Sequence, residues 1–422
     1  MNMRHLQRCA CLLLVTALVV ACSKDKAIDT PAKLTALNPS LRVQRLWQSS
    51  VDNKKAVALR LGQGLAVDGG TVYAAGHTGE VEAFDINNGR SRWRTKLKAP
   101  LSGGAAVGDG LVVVGTSDGR VLALDAASGK TRWETRINGE VLAPAAISAR
   151  LVSVRSGDGK LHGLSPADGR ELWNQEQQVP RLSLRGTSHP LIVGDSVLCG
   201  FDNGKVVAVN GLDGSVLWEA TVTPPHGRTE LERLSDIDSE VLVSGQNAYA
   251  VGFQGRVAML ALDTGQIWWS HELSSYRGMT LDDDTLYVST AEGSVVALRA
   301  RTGAEIWRQN VLQYRGLSAP GHTQDSVVVG DYQGYVHFLD KASGGLQART
   351  RAGSARISAP PVAVGNLVLV VNDRGQISAF KVSAIPGAPK PVPPAAPAAA
   401  AAAPAPPPAT PGEPPADSKD GK

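Results

Sequence analysis

Residues 79–93 read GEVEAFDINNGRSRW, and the pattern returns at 119–133 as GRVLALDAASGKTRW. It returns again at 159–173, 204–218, 255–269 and 293–307, each time opening on Gly and closing on Trp. Gly79, Gly119 and Gly159 are 40 residues apart (79 to 119 to 159). A period of that size marks an array of supersecondary units, none of which can bury its apolar face alone.

Each unit reads as strands. Apolar and β-branched residues fill Val72–Gly76 and Val81–Asp85, and the turn segments 77–80 and 86–89 separate them. A run, a tight Gly turn and a second run make a hairpin, because Gly supplies the positive φ such turns need. Asn88-Gly89, Ser128-Gly129, Asp168-Gly169 and Asp213-Gly214 repeat that chemistry. A third strand ends in the tryptophan. A fourth precedes the block and is expected in small-residue runs such as Ser102–Ala106 and Ser358–Pro361, which suit crowding near a central axis. Four antiparallel strands per repeat of this length predict an all-β fold, a β-propeller.

Two degenerate copies complete the count. Residues 334–348, GYVHFLDKASGGLQA, place Ala348 at the tryptophan position. Gly375 opens GQISAFKV, which then runs into a proline-rich tail with no third strand. The missing strand lies at the other end, where Leu41–Gln48 (LRVQRLWQ) is a tryptophan strand without a block of its own. Joining the two gives an eight-bladed propeller over residues 41–383, closed by its N-terminal strand, with no open edge. Burial of Leu46 and Trp47 is expected to hold that closure.

The ends speak of location. Arg4 and Arg8 precede an almost wholly apolar run from Cys9 to Ala21. That run is short for a membrane span and fits a secretory signal, residues 1–21. It ends Val19-Val20-Ala21-Cys22-Ser23, which resembles the bacterial lipobox. The resemblance implies cleavage before Cys22, lipidation of that cysteine, and, with Ser23 rather than Asp next to it, sorting to the outer membrane. Two or three acyl chains anchor a protein stably where one does not. Residues 22–40 then form a lipidated N-terminus and tether. From 384 to 422, Pro and Ala dominate, a composition that cannot bury a core.

The remaining chemistry is sparse. Export leaves Cys199 as the one cysteine besides Cys22, so no intrachain disulfide is expected, and a buried inert thiol is. The formal net charge of +4 falls to +2 when the signal leaves with its two arginines, which gives no reason to invoke nucleic acid. The eight histidines are scattered without metal-ligand spacing. Gly157-Asp158-Gly159 reads as a hairpin turn rather than a phosphate loop, and Asp282-Asp283-Asp284 as an acidic turn rather than a calcium loop. No catalytic residues, metal or cofactor are expected.

The block Gly–x–strand–Asp–x–x–x–Gly–x–x–x–Trp resembles the quinoprotein-type repeat, over essentially all of residues 41–382. Dehydrogenases sharing that repeat carry calcium and typically an adjacent-cysteine pair, which the mature chain lacks; a periplasmic quinoprotein-like dehydrogenase is the alternative function. Eight such blades behind a lipobox are more similar to the BamB family, the propeller lipoproteins of the outer-membrane β-barrel assembly (BAM) machinery. Two segments break the rhythm, Leu182-Ser183-Leu184-Arg185-Gly186 and Arg233–Asp238, stretching the glycine spacing to 45 (159 to 204) and 51 (204 to 255). The resemblance implies a non-enzymatic scaffold on the periplasmic face of the outer membrane. It also implies BamA, the barrel-inserting subunit, as partner, with nascent outer-membrane proteins nearby. By that resemblance Leu182, Leu184, Arg185, Asp236 and Asp238 are the contact candidates. Loops on a rigid scaffold are where such folds place function. An alternative stays open: the leucines are core, and the Arg and Asp residues pair across neighbouring blades.

Overall fold

A computed structural model describes residues 29–52, 64–184 and 186–394. These form eight four-stranded sheets, an eight-bladed β-propeller. Blade one holds Ala66–Asp68, Thr71–Ala75, Glu80–Asp85 and Ser91–Lys96, counted from the axis outward. Six more blades repeat this order. Blade eight is composite: Val362–Val364, Leu367–Val371 and Gln376–Ala384 come from the C-terminal side, and Leu41–Ser50 from the N-terminal side. The closing strand runs antiparallel from Leu41 opposite Ala384 to Ser50 opposite Gln376.

The two middle strands of each blade are buried on both faces, as in Leu111–Gly115 and Arg120–Asp125. Apolar clusters lie between neighbouring blades, one joining Tyr73 and Val81 of the first to Val112 and Leu122 of the second. The small-residue runs fall just ahead of the innermost strands rather than within them, since those strands are Ala106–Gly108 and Val362–Val364. Ala105, Ala143, Pro144, Ala319 and Pro360 line a central cavity of about 710 Å³, so the expected crowding at the axis holds a few residues upstream.

The tryptophans work as latches from blade to blade. Trp93 donates its indole N–H to the Ala126 carbonyl of the next blade at 2.9 Å, and Trp133 does the same to Pro166 at 2.8 Å. Trp173, Trp218, Trp269 and Trp307 continue the series onto Gly211, Leu262, Ala300 and Lys341. Trp47 closes it onto Ile86 at 2.8 Å. Each ring lies against the turn glycine of the next blade. A Cβ on Gly129, which has φ +70°, would stand 2.4 Å from the Trp93 ring. Glycine is needed there for its conformation and for its missing side chain. Ala348 breaks the series for a structural reason. Its neighbour, blade eight, takes its two outermost strands from opposite ends of the chain and has no such turn to latch.

One expectation needs correcting. Leu46 is 44% exposed while Trp47 is 8% exposed. The register slips between Arg45 and Trp47, so Leu46 is the extra residue of a β-bulge and points outward. The same slip occurs opposite the tryptophan in other blades, which leaves Leu172, Leu217, Trp268 and Ile306 exposed as well.

Candidate partner-binding site

The connections between blades and the hairpin turns joining the two middle strands share one face. Val141 of a connection, for example, donates to the Thr116 carbonyl of a turn at 3.1 Å. Most connections are short. Those at 177–190 and 222–241 are long, and they lie side by side. The Leu184 N–H donates to the Asp236 carboxylate, and the Ser188 hydroxyl donates to the Ser239 carbonyl at 2.8 Å. The Gly186 backbone presses on Asp238: a Cβ there would lie 2.7 Å from Oδ2. Residues about fifty positions apart in sequence thus form one feature, as successive connections on a ring must.

The second connection is pinned from below. Ile237 is fully buried in the cluster of Leu198, Val222 and Val241. Its N–H donates to the Phe201 carbonyl at 3.3 Å, and Phe253 N–H donates to the Asp236 carbonyl at 2.9 Å. Asp236 is 1% exposed, so its carboxylate shapes the neighbouring loop and cannot itself meet a partner. Asp238 is half-buried. Leu184 is partly buried, whereas Leu182 is 44% exposed. Leu182 is thus no core residue, and among the described residues of the expected contacts it is the one most open to a partner. Arg185 and Cys22, the other expected site residues, lie outside the described residues.

Two groups escaped the sequence reading. Arg155 is buried beneath the loops, with its Nη2 3.2 Å from Asp202 and its guanidinium 4.4 Å from the centre of the Phe201 ring. A charged residue ending the middle strand Val152–Arg155, where the equivalent positions carry Ala75, Gly115 and Gly200, was the available signal. Val179 and Leu231 are exposed apolar residues on the same two connections, 38% and 65% exposed. Irregular loops offer no periodicity from which to read exposure.

Electrostatically the site is acidic within. Desolvation pushes the Asp236 carboxyl up to about 7, aided by the Asp202 charge and opposed by the Leu184 N–H. Desolvation also raises Asp238 well above its ordinary value, with Asp236 and Asp202 adding to it and Arg155 opposing. Burial works against protonation of His189, but Glu240 outweighs it and holds the imidazole above its usual range. These groups order a surface. Among the described residues no group of three His, Cys, Asp or Glu side chains is disposed to hold a metal ion. Cys199 is fully buried and its thiol is pushed up to about 12 by desolvation, which leaves it unreactive. Gly157–Gly159 turns between two strands, and Asp282 of the acidic turn pairs with Lys341.

The buried acids give a pH prediction. The folded value of Asp236 lies above its ordinary 3.8, so between about pH 4 and pH 7 the folded state holds a proton that the unfolded state does not. Its contribution to stability is present at acid pH and lost as pH rises through 7. Asp236→Asn keeps an acceptor for the Leu184 N–H and removes the charge. It should be more stable than the parent by about 1–3 kcal/mol at pH 8, and the gap should close by pH 4. Urea titrations at both pH values measure it; a gap independent of pH contradicts the assignment.

A closed propeller with two long interlocked connections on one face, and with Asp236 and the Arg155–Asp202 pair buried beneath them, has the architecture of an interaction scaffold. A family model described as outer membrane protein assembly factor BamB matches residues 32–103, 77–309 and 291–384. The outer membrane protein assembly factor BamB of Pseudomonas aeruginosa is 45% identical over 374 residues, 88% of this chain and 98% of that protein. This chain belongs to the BamB family. The crystal structure of BamB from Moraxella catarrhalis matches with a TM-score of 0.74 at 28% identity, covering 81% of this chain and 100% of that one. A quinohemoprotein alcohol dehydrogenase from Comamonas testosteroni also matches, with a TM-score of 0.63 over 83% of this chain and 78% of that one. At 13% identity it shares the fold alone.

Proposed function

We propose that this chain is a non-enzymatic scaffold of outer-membrane protein assembly. Lipidated Cys22 anchors it to the periplasmic face of the outer membrane, and it binds BamA through the two long connections. Membership of the BamB family supports the assembly role. The observation that carries the site is the lock between the connections, Leu184 N–H on buried Asp236, which presents Leu182 outward from a rigid ring. A preordered loop loses little conformational freedom on binding, which favours affinity. The scaffold organises delivery of nascent outer-membrane proteins to the barrel-inserting subunit. Depleting the chain from cells that make it should lower the amount of folded barrel protein in the outer membrane, and restoring it should reverse the loss. Unchanged barrel content after depletion sinks the proposal.

A further inference from the structure

The segment ahead of the closing strand is laid down along the propeller. From Ser40 it runs beside the outermost strand of blade seven, Leu346–Arg351, toward the face that carries the connections. Ser40 N–H donates to the Gln347 carbonyl at 2.8 Å. Arg349 Nη2 donates to the Thr35 carbonyl at 2.6 Å. Leu34 packs against the core cluster of Trp307, Leu312 and Leu339. Ala32 N–H donates to the Gln313 carbonyl at 3.0 Å, and its own carbonyl accepts from Arg315 Nη1 at 2.9 Å.

The receiving group at the far end is built in. Arg315 is 3% exposed and is held by Asp331, with Nε and Nη2 at 2.8 and 2.7 Å from Oδ2. His337 Nε2 stands 3.1 Å from the same oxygen. The host strand is adapted too. At the bulge position of the outermost strand, where Leu172, Leu217 and Ile306 stand exposed in other blades, Gln347 is only 6% exposed beside this segment. The described chain reaches Asp29 beside Tyr314, whose N–H bonds to Glu292 in a hairpin turn of that same face.

We propose that residues 29–40 are a docked strap that fixes how the anchored propeller stands on a phospholipid bilayer. The inference rests on the reading of Cys22 as the lipid anchor. Free, the chain from Cys22 to Leu41 could stretch about 65 Å at roughly 3.4 Å per residue, letting the ring tumble. Docked, the leash shortens to the stretch from Cys22 to Asp29, at most about 25 Å. The bilayer then lies close to the rim of blades six and seven, on the face that also carries Leu182 and Asp236.

Energy transfer to the membrane tests this. The full-length lipidated protein would be inserted in phosphatidylethanolamine–phosphatidylglycerol vesicles carrying an acceptor-labelled lipid. Cys22 is acylated and Cys199 buried, so one introduced cysteine takes the donor dye. Glu292→Cys reports on the strap's exit. Leu212→Cys, at a position 67% exposed in a turn of the opposite face, reports on the far side. Transfer should be at least about twofold higher at 292 than at 212, and Leu34→Asp or Arg349→Ala should level the two. Both variants leave the blades intact, which unchanged melting temperatures would verify. A protein that does not float with the vesicles overturns the lipid anchor and the inference with it. Flotation with equal transfer at both positions, or an asymmetry that survives Leu34→Asp, overturns the strap and leaves the anchor standing.

Discussion

Deleting residues 41–50 will open the ring at blade eight and destabilise the whole propeller by several kcal/mol. The deleted strand supplies every pairing from Leu41 opposite Ala384 to Ser50 opposite Gln376, and its loss bares the edge of Gln376–Ala384. An exposed edge of that length is a template for pairing between molecules, so aggregation should accompany the loss. The point substitution Trp47→Ala isolates the latch. The indole is 8% exposed, bonds to the Ile86 carbonyl and lies over Gly89, so truncation should cost roughly 3–5 kcal/mol. Its neighbour provides the control: Leu46 is a bulge residue 44% exposed, and Leu46→Ala should cost less than about 1 kcal/mol. Equilibrium urea unfolding measures all three. Equal losses at 46 and 47, or a deletion with unchanged stability, would contradict closure by this strand.

That pair of residues also marks how far the sequence could be read. Trp47 was legible as an outer-strand residue because each Gly–Asp–Gly–Trp block places a specific chemical demand at each position: a turn glycine, a turn carboxylate, an indole. The blade count and the joining of the two chain ends followed from those demands. Leu46 was misjudged because a large apolar side chain beside Trp47 suggests shared burial, whereas the bulge adds Leu46 as one extra residue to one strand and turns it outward. The site was half legible. Two broken spacings located the connections, and ring topology set them side by side. Burial of Asp236 was not legible, since a carboxylate in an aperiodic loop is ordinarily exposed and its burial depends on Ile237 sinking into the gap between blades. The strap was not legible either. Residues 29–40 carry no repeat, and their partners Gln313, Arg315 and Arg349 lie some three hundred residues away.

Leu182→Asp should weaken binding to BamA by at least about 30-fold, near 2 kcal/mol, while leaving stability within about 0.5 kcal/mol of the parent. The side chain is nearly half exposed, so folding gains little from it, whereas a partner that covers it would have to bury the new charge unpaired. Leu184→Asp should reduce binding too, with some loss of stability, because that side chain is partly buried and its N–H holds Asp236. Titration calorimetry with the periplasmic part of BamA, beside urea unfolding of each variant, separates the two quantities. Parallel losses of binding and stability at Leu182 would make it a packing residue. Full binding by a variant substituted at Leu182, Leu184, Arg185, Asp236 and Asp238 together would remove the site.

The most direct test of the scaffold role is affinity purification of the full-length, lipidated chain from outer membranes solubilised in mild detergent. BamA should co-purify with the parent chain and be depleted from the Leu182→Asp sample at equal loading. A folded, membrane-anchored parent chain that brings down no BamA would contradict the central claim.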